Sequence, residues 1–409
     1  MRPITQTLER LCLKSNHVRA MAGAFALALA VAGSVLPTPA SALDAIVEKK
    51  SFTLPAYTTQ GGAPLKDVKI GWEAYGTLNA DKSNVILVTH FFSGSSHAAG
   101  KYKADDKVAG YWDAIIGPGK PLDTDKYYII SSDTLVNLNA YDPNVITTGP
   151  ASLQPGTNKP YGMSFPVVGI RDFVNVQKAL LESLGITKLH AVAGASMGAL
   201  QAYEWASSYP EMVGRIIPVI GASETSGWLI ALLDAWGAPI RVDANWNNGD
   251  YYGRTPPKAG LTQALKMVTL WAGYWTWVDD TFGRKWAEPQ QDPATAMGNR
   301  FLVESTIDKI SAARAELSDA NHLLYLVKAN QLFVAGGDAA VSRIKAPVLL
   351  ISTDEDLVFP PPVIAKTAER IRAGGAKVEQ VKIGGGRGHL NGVVNISEAG
   401  DAIRTFLAK

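Results

Sequence analysis

Short apolar runs rich in Val and Ile alternate with amphipathic stretches from Val85 onward. Residues 85–89, 127–131, 189–193, 216–220, 348–352 and 378–383 read as strands. Most of these runs are nearly continuous rather than alternating, which is what strands covered on both faces require. Between the second and third of them, Phe173, Val176, Leu180 and Leu184 recur at spacings of three and four, and Gly185 follows as a C-terminal cap. That segment predicts a helix packed on the sheet. The pattern is that of an α/β protein whose mostly parallel sheet is flanked by helices.

Between Gly221 and about Ala335 the strand signal disappears, and seven of the ten tryptophans fall there, among them Trp228, Trp236, Trp271, Trp275 and Trp277. After it, Ala346-Pro347 opens another buried strand and the alternation resumes. The expected organisation is one α/β core in two parts, residues 43–222 and 336–409, interrupted by a helical lid at residues 223–335. The tryptophans point to an aromatic-lined substrate entrance or a dimer contact.

The first 42 residues stand apart. Arg2, Arg10, Lys14 and Arg19 precede an Ala/Val/Leu-rich stretch from Ala20 to about Leu36, and Ala40-Ser41-Ala42 follows. These are the three parts of a secretory signal peptide with cleavage after Ala42. The apolar run is shorter than the roughly 20 residues that a bilayer span needs. The expected product is a periplasmic or secreted protein with no stable membrane insertion. Cleavage removes Cys12, the only cysteine, and so excludes disulfides, a Cys nucleophile and Cys-ligated metal. The whole chain carries a net charge of +2 and no Lys/Arg run that would track a phosphate backbone, which excludes nucleic acid as a partner.

The chemistry centres on Gly194-Ala195-Ser196-Met197-Gly198. A G-x-S-x-G turn between a strand and a helix holds its serine clear at the strand end, and the next backbone N–H points at a developing oxyanion. Here it follows an apolar strand and precedes a helix-like run closed by Pro210. Ser196 is thus the candidate nucleophile of an α/β-hydrolase-type site. A serine hydroxyl is weak at its free pKa and needs a base, and the chain order in this fold is Ser, acid, His. Of the six histidines, only His322 and His389 lie beyond Ser196. His389 ends the glycine-rich segment after the last strand, where a base belongs, whereas His322 lies in a helical stretch and reads as a surface or packing residue. The acid should leave the strand 348–352, where Asp354, Glu355 and Asp356 are equivalent by position; two of the three are expected to be solvated. The second oxyanion donor belongs to the turn after residues 85–89, at Phe92, paired with Met197. His90 comes too early to be the base and reads as structural.

Several segments in order resemble the homoserine O-acetyltransferase family of α/β-hydrolases. They include Gly117-Pro118-Gly119-Lys120, Gly149-Pro150-Ala151-Ser152, Lys159-Pro160-Tyr161-Gly162, the Ser196 turn, Glu204-Trp205-Ala206, Asn248-Gly249-Asp250-Tyr251-Tyr252, Phe282-Gly283-Arg284 and Asp356-Leu357-Val358-Phe359-Pro360. The resemblance implies the α/β-hydrolase fold, a serine acyl-enzyme formed with Ser196, Asp356 and His389, and a helical lid that often mediates a homodimer. Two departures bear on the acceptor. The family's Asp after the histidine, which holds the homoserine amine, is Leu390 here. A lid Arg that pairs with the homoserine carboxylate aligns with Gly237, and Arg241 lies one helical turn away. A charge-assisted hydrogen bond contributes about 1.5 to 3 kcal/mol, so losing both partners weakens acceptor recognition by roughly a hundredfold or more. The expectation is an exported serine esterase acting on a small-molecule ester with water as acceptor. The alternative is homoserine O-acetyltransferase or a related O-acyltransferase using an acyl-CoA donor. No His or carboxylate pair has metal-ligand spacing, and no cofactor is called for.

Overall fold

The computed structural model describes residues 46–337 and 340–409. The signal segment read from residues 1–42 lies outside the described residues. The chain opens with an antiparallel hairpin of β1 (Lys50–Thr58) and β2 (Pro64–Tyr75), in register from Lys50 opposite Trp72 to Thr58 opposite Pro64. Sequence pattern from Val85 onward did not reach these strands. β1 is the edge of the sheet: Phe52, Leu54 and Tyr57 are half-buried against the core while Ser51, Thr53 and Pro55 face water. Such alternation, with a proline on the outer side, suits an edge strand.

The remaining strands of the same sheet are β3 (Val85–Thr89), β4 (Tyr128–Ser132), β5 (Ala191–Ala195), β6 (Ile216–Val219), β7 (Val348–Ser352) and β8 (Val378–Lys382). In space they run β1-β2-β4-β3-β5-β6-β7-β8 as one eight-stranded sheet. β2 pairs antiparallel with β1 and with β4, and every later pairing is parallel. Four strands differ from their expected bounds: β4 is shifted by one residue and β8 ends one residue early, and the other two have a visible cause. β5 begins at Ala191 and runs directly into Ser196, with Leu189 making only an isolated bridge to Val213. β6 stops at Val219 because Ile220 takes a positive φ of 47°.

β3 lies between β4 and β5, so the chain leaves it to one side and later returns on the other. In open parallel sheets the carboxyl ends of strands at such a reversal face a crevice that receives ligands. α1 (Ile170–Ser183) buries Phe173, Val176 and Leu180 as the spacing predicts, and Gly185 closes it with φ of 69°. α2 (Met197–Ser208) is buried at every position up to Ser207, as a helix that is covered all round must be. Apolar clusters lie on both faces of the sheet, one reaching α1, α2 and the lid and the other reaching the C-terminal segment.

Between β6 and β7, among the described residues, stand five α-helices: α3 (Gly227–Val242), α4 (Lys258–Ala272), α5 (Trp275–Thr281), α6 (Leu302–Ala315) and α7 (Ala320–Gln331). α8 (Pro361–Ala373), α9 (Asn391–Val394) and α10 (Gly400–Leu407) complete the chain. Among the described residues no helix is long and apolar enough to cross a membrane.

Candidate active site

β5 ends at Ala195, and Ser196 turns the chain into α2 with φ 56° and ψ −119°. A non-glycine residue at positive φ is costly and persists only where its surroundings impose it. Here the glycines on either side allow the turn. A Cβ at Gly194 would stand 2.1 Å from Thr89 Oγ1, and one at Gly198 would stand 2.1 Å from the Thr89 carbonyl oxygen. Thr89 Oγ1 in turn donates to the Gly198 carbonyl at 2.8 Å, locking the end of β3 against the start of α2. The Ser196 N–H donates to the Val219 carbonyl at 2.9 Å.

Three side chains drawn from distant parts of the sequence meet at this turn. His389 lies between the other two: Ser196 Oγ is 2.8 Å from Nε2, and Asp356 Oδ2 is 2.8 Å from Nδ1. All three are buried. The other Asp356 oxygen, Oδ1, accepts from the backbone N–H groups of Val358 and Phe359, each at 2.8 Å. The Phe359 ring stacks on the imidazole with centroids 5.8 Å apart. With Nδ1 donating to the carboxylate, Nε2 is free to accept the serine proton, the arrangement that acyl-transfer chemistry needs.

The three carboxylates after β7 have three different fates, and only part of the expectation holds. Asp354 is exposed and pairs with Lys382 at 2.9 Å. Asp356 faces His389. Glu355 was expected in solvent but is half-buried, and its oxygens accept from Gly386 N–H at 3.3 Å, Gly388 N–H at 3.3 Å and Asn391 Nδ2 at 2.8 Å. Backbone donors in a loop more than thirty positions away leave no mark in sequence pattern.

Phe92 lies in the turn after β3, beside the Ser196 turn: Gln201 Nε2, from α2, donates to the His90 carbonyl at 3.3 Å. Neither the Phe92 nor the Met197 N–H makes a hydrogen bond among the described residues. His90 is fully buried; its Nδ1 donates to the Phe91 carbonyl at 2.8 Å and its Nε2 accepts from Asn137 Nδ2 at 3.3 Å. Burial pushes its pKa down, only partly offset by the Phe91 carbonyl and Asp133. Asn137 also donates to the Gly94 carbonyl at 3.1 Å. His322 of α7 donates from Nδ1 to the Asn137 carbonyl at 2.7 Å and accepts from Ala151 N–H at 3.1 Å. His322 is a fully buried packing residue, not a surface one.

The helical segment between β6 and β7 reaches the site at several points. Trp236 is buried on α3 and meets the Phe92 ring edge-on at 5.6 Å. Trp228 donates from its indole nitrogen to the Leu357 carbonyl at 2.9 Å, and Thr276 donates to the Gly386 carbonyl at 3.1 Å. Of the residues expected to face an acceptor, Leu390 is half-buried in the short 3-10 turn that also holds His389. Gly237 is buried, and a Cβ there would meet Arg241 Nη1 at 2.6 Å and Leu324 Cδ2 at 2.9 Å. Arg241 itself is exposed and committed to Asp234, 2.7 Å away.

Residues 132–391 match a family model described as alpha/beta hydrolase fold, which fixes the class of protein. A homoserine O-acetyltransferase of Methanosphaerula palustris is 39% identical over 85% of this chain and 70% of that protein. Among solved structures, esterase E22 is 50% identical with a TM-score of 0.85, covering 88% of this chain and 100% of that one. The homoserine O-acetyltransferase from Bacillus anthracis is 36% identical with a TM-score of 0.84, covering 89% of this chain and 98% of that one. The chain belongs to the homoserine O-acetyltransferase family of α/β-hydrolases.

Proposed function

We propose that the protein is an exported serine esterase that hydrolyses small acyl esters through Ser196, His389 and Asp356. The observation that carries this reading is the continuous hydrogen-bonded path from Ser196 Oγ through His389 to Asp356. In acylation, Ser196 Oγ attacks the ester carbonyl carbon while its proton passes to His389 Nε2. The N–H groups of Phe92 and Met197 receive the oxyanion. The bond to the alcohol then breaks, and His389 returns the proton to the departing oxygen. Water next attacks the acyl-serine, giving its proton to His389. Breakage of the serine ester releases the acid and restores the hydroxyl. Asp356 stays ionised and holds the imidazolium.

Water is favoured over homoserine on three grounds. Leu390 and Gly237 bring no charge to an amino-acid acceptor, and Arg241 is engaged by Asp234. Esterase E22 is the more similar of the two solved structures compared above. The signal-like segment at residues 1–42 would take the protein away from acetyl-CoA, a cytoplasmic metabolite. The names of the curated relatives favour the second reading, homoserine O-acetyltransferase activity. Purified protein lacking residues 1–42 is expected to release p-nitrophenol from p-nitrophenyl acetate with no added acceptor. CoA release from acetyl-CoA that depends on homoserine, with no acceptor-free turnover, would reverse the assignment.

A further inference from the structure

His389 sits on a loop that is poorly suited to hold a side chain still. Gly384, Gly385, Gly386 and Gly388 surround it, and Gly385, Gly386 and Gly388 take φ of 114°, 72° and 63°. Glycines at positive φ avoid strain but leave the backbone free of side-chain anchors. A base has to keep its ring within a few tenths of an ångström through acylation and deacylation, and a misplacement of about 1 Å costs about a hundredfold in rate.

Gly384, at the start of the loop, is held by Glu398 and Asn395, and Glu355 anchors the part next to His389. It stands one residue before Asp356, on the same turn after β7. Its Oε1 accepts from the Gly386 N–H, and its Oε2 accepts from the Gly388 N–H and from Asn391 Nδ2. Asn391 in turn donates to Thr353 Oγ1 at 3.2 Å and accepts from the Arg387 N–H at 3.3 Å. The loop is thereby tied on both sides of His389 to the strand end that carries the acid. From the opposite side the lid closes on the same loop, where Thr276 bonds Gly386 and a Cβ at Gly388 would meet the Gly273 carbonyl at 2.6 Å.

We propose that Glu355 is a positioning residue for the base: with Asn391 it fixes the glycine loop to the acid-bearing turn, so that one short stretch, Thr353 to Asp356, sets the location of both members of the His389–Asp356 pair. This rests on the reading of Ser196 and His389 as nucleophile and base. Glu355 touches no reacting atom and acts only through His389. Glu355→Gln is nearly isosteric, but its amide can accept at one of the two oxygen positions only and turns donors toward the other loop donors.

The test is the rate at which an alkyl fluorophosphonate labels Ser196, followed by mass spectrometry of the intact protein, in four forms: unaltered, Glu355→Gln, His389→Ala and the double variant. Labelling needs the activated serine but no particular acyl group or acceptor. The expected result is a loss of about tenfold to a hundredfold for Glu355→Gln with the melting temperature held within a few degrees, and no further loss when Glu355→Gln is added to His389→Ala. An unchanged rate in Glu355→Gln overturns the proposal. So does an equal loss in both backgrounds, because that is the mark of a role in general stability. Failure of the unaltered protein to label at Ser196 would instead overturn the functional reading beneath it, which separates the two failures.

Discussion

Asp356 meets His389 through one carboxylate oxygen alone, because the other is taken by the N–H groups of Val358 and Phe359. The carboxylate is thus held in one orientation by its own loop. That orientation decides which imidazole nitrogen carries the proton. In Asp356→Asn, the same two N–H groups keep the amide oxygen at the Oδ1 position and turn the NH2 toward Nδ1. The ring must then accept at Nδ1 and carry its proton on Nε2, where it can no longer take one from Ser196. The expected outcome is a fall in kcat on p-nitrophenyl acetate of about 10⁴-fold, with little change in melting temperature. A fall below tenfold would mean that the carboxylate does not set the tautomer.

The Ser196 turn also sets a steric limit. Adding one methyl group in Gly198→Ala drives a Cβ to 2.1 Å from the Thr89 carbonyl oxygen, and that neighbour is strand backbone that cannot swing aside. Either β3 or α2 must shift. The variant is expected to lose several kcal/mol of stability, roughly the upper range for single substitutions. Urea denaturation followed by tryptophan fluorescence measures it, and a midpoint equal to that of the unaltered protein would contradict the packing described.

How much of this was legible beforehand depends on the range over which each signal acts. Ser196 announced itself because a strand, a five-residue turn and a helix are contiguous in the chain. His389 was reachable because fold order and a glycine-rich loop left one good choice. Asp356 was not separable from Asp354 and Glu355 by position, since the difference lies in which one the turn after β7 points at His389; the family resemblance supplied it. The β1–β2 hairpin escaped because edge strand β1 needs only alternate apolar positions, and exposed Ala56 in β1 and Asp67, at a positive φ of 51°, in β2 break the alternation. Asn137 and Glu355 escaped for a different reason. Their partners are backbone groups and rings brought close only by the finished fold.

Two fully buried histidines make the fold sensitive to acid. Burial pushes both His90 and His322 below their ordinary value of about 6.5, in His322 against the opposing pull of Asp319 and the Asn137 carbonyl. The folded chain therefore binds fewer protons than the unfolded chain once pH drops under that value. Their stabilising contribution is complete above about pH 6.5 and is lost as pH falls toward the lowered folded values, with a slope of up to about 1.4 kcal/mol per pH unit for each histidine. Urea midpoints taken from pH 8 to pH 5 should be level in the upper part and fall in the lower. A midpoint that rises on acidification would show that these rings are charged in the folded state.

Trp236 connects the lid to the turn that carries Phe92. Trp236→Ala removes a large buried ring and is expected to cost about 3 to 5 kcal/mol. It should also lower kcat, because the Phe92 turn loses the surface that it rests on while Ser196, His389 and Asp356 are untouched. Parallel measurement of the urea midpoint and of p-nitrophenyl acetate turnover checks both parts. Full turnover in a destabilised but folded variant would free the lid from any part in holding that turn.

The account turns on Ser196 forming an ester with the acyl group. The direct measurement is to mix protein lacking residues 1–42 with p-nitrophenyl acetate, quench in acid within the first turnover, and map the adduct by peptide mass spectrometry. The predicted result is one acetyl group on the peptide containing Ser196, absent in Ser196→Ala, which also loses turnover. Acetylation at another residue, or undiminished turnover in Ser196→Ala, would contradict it.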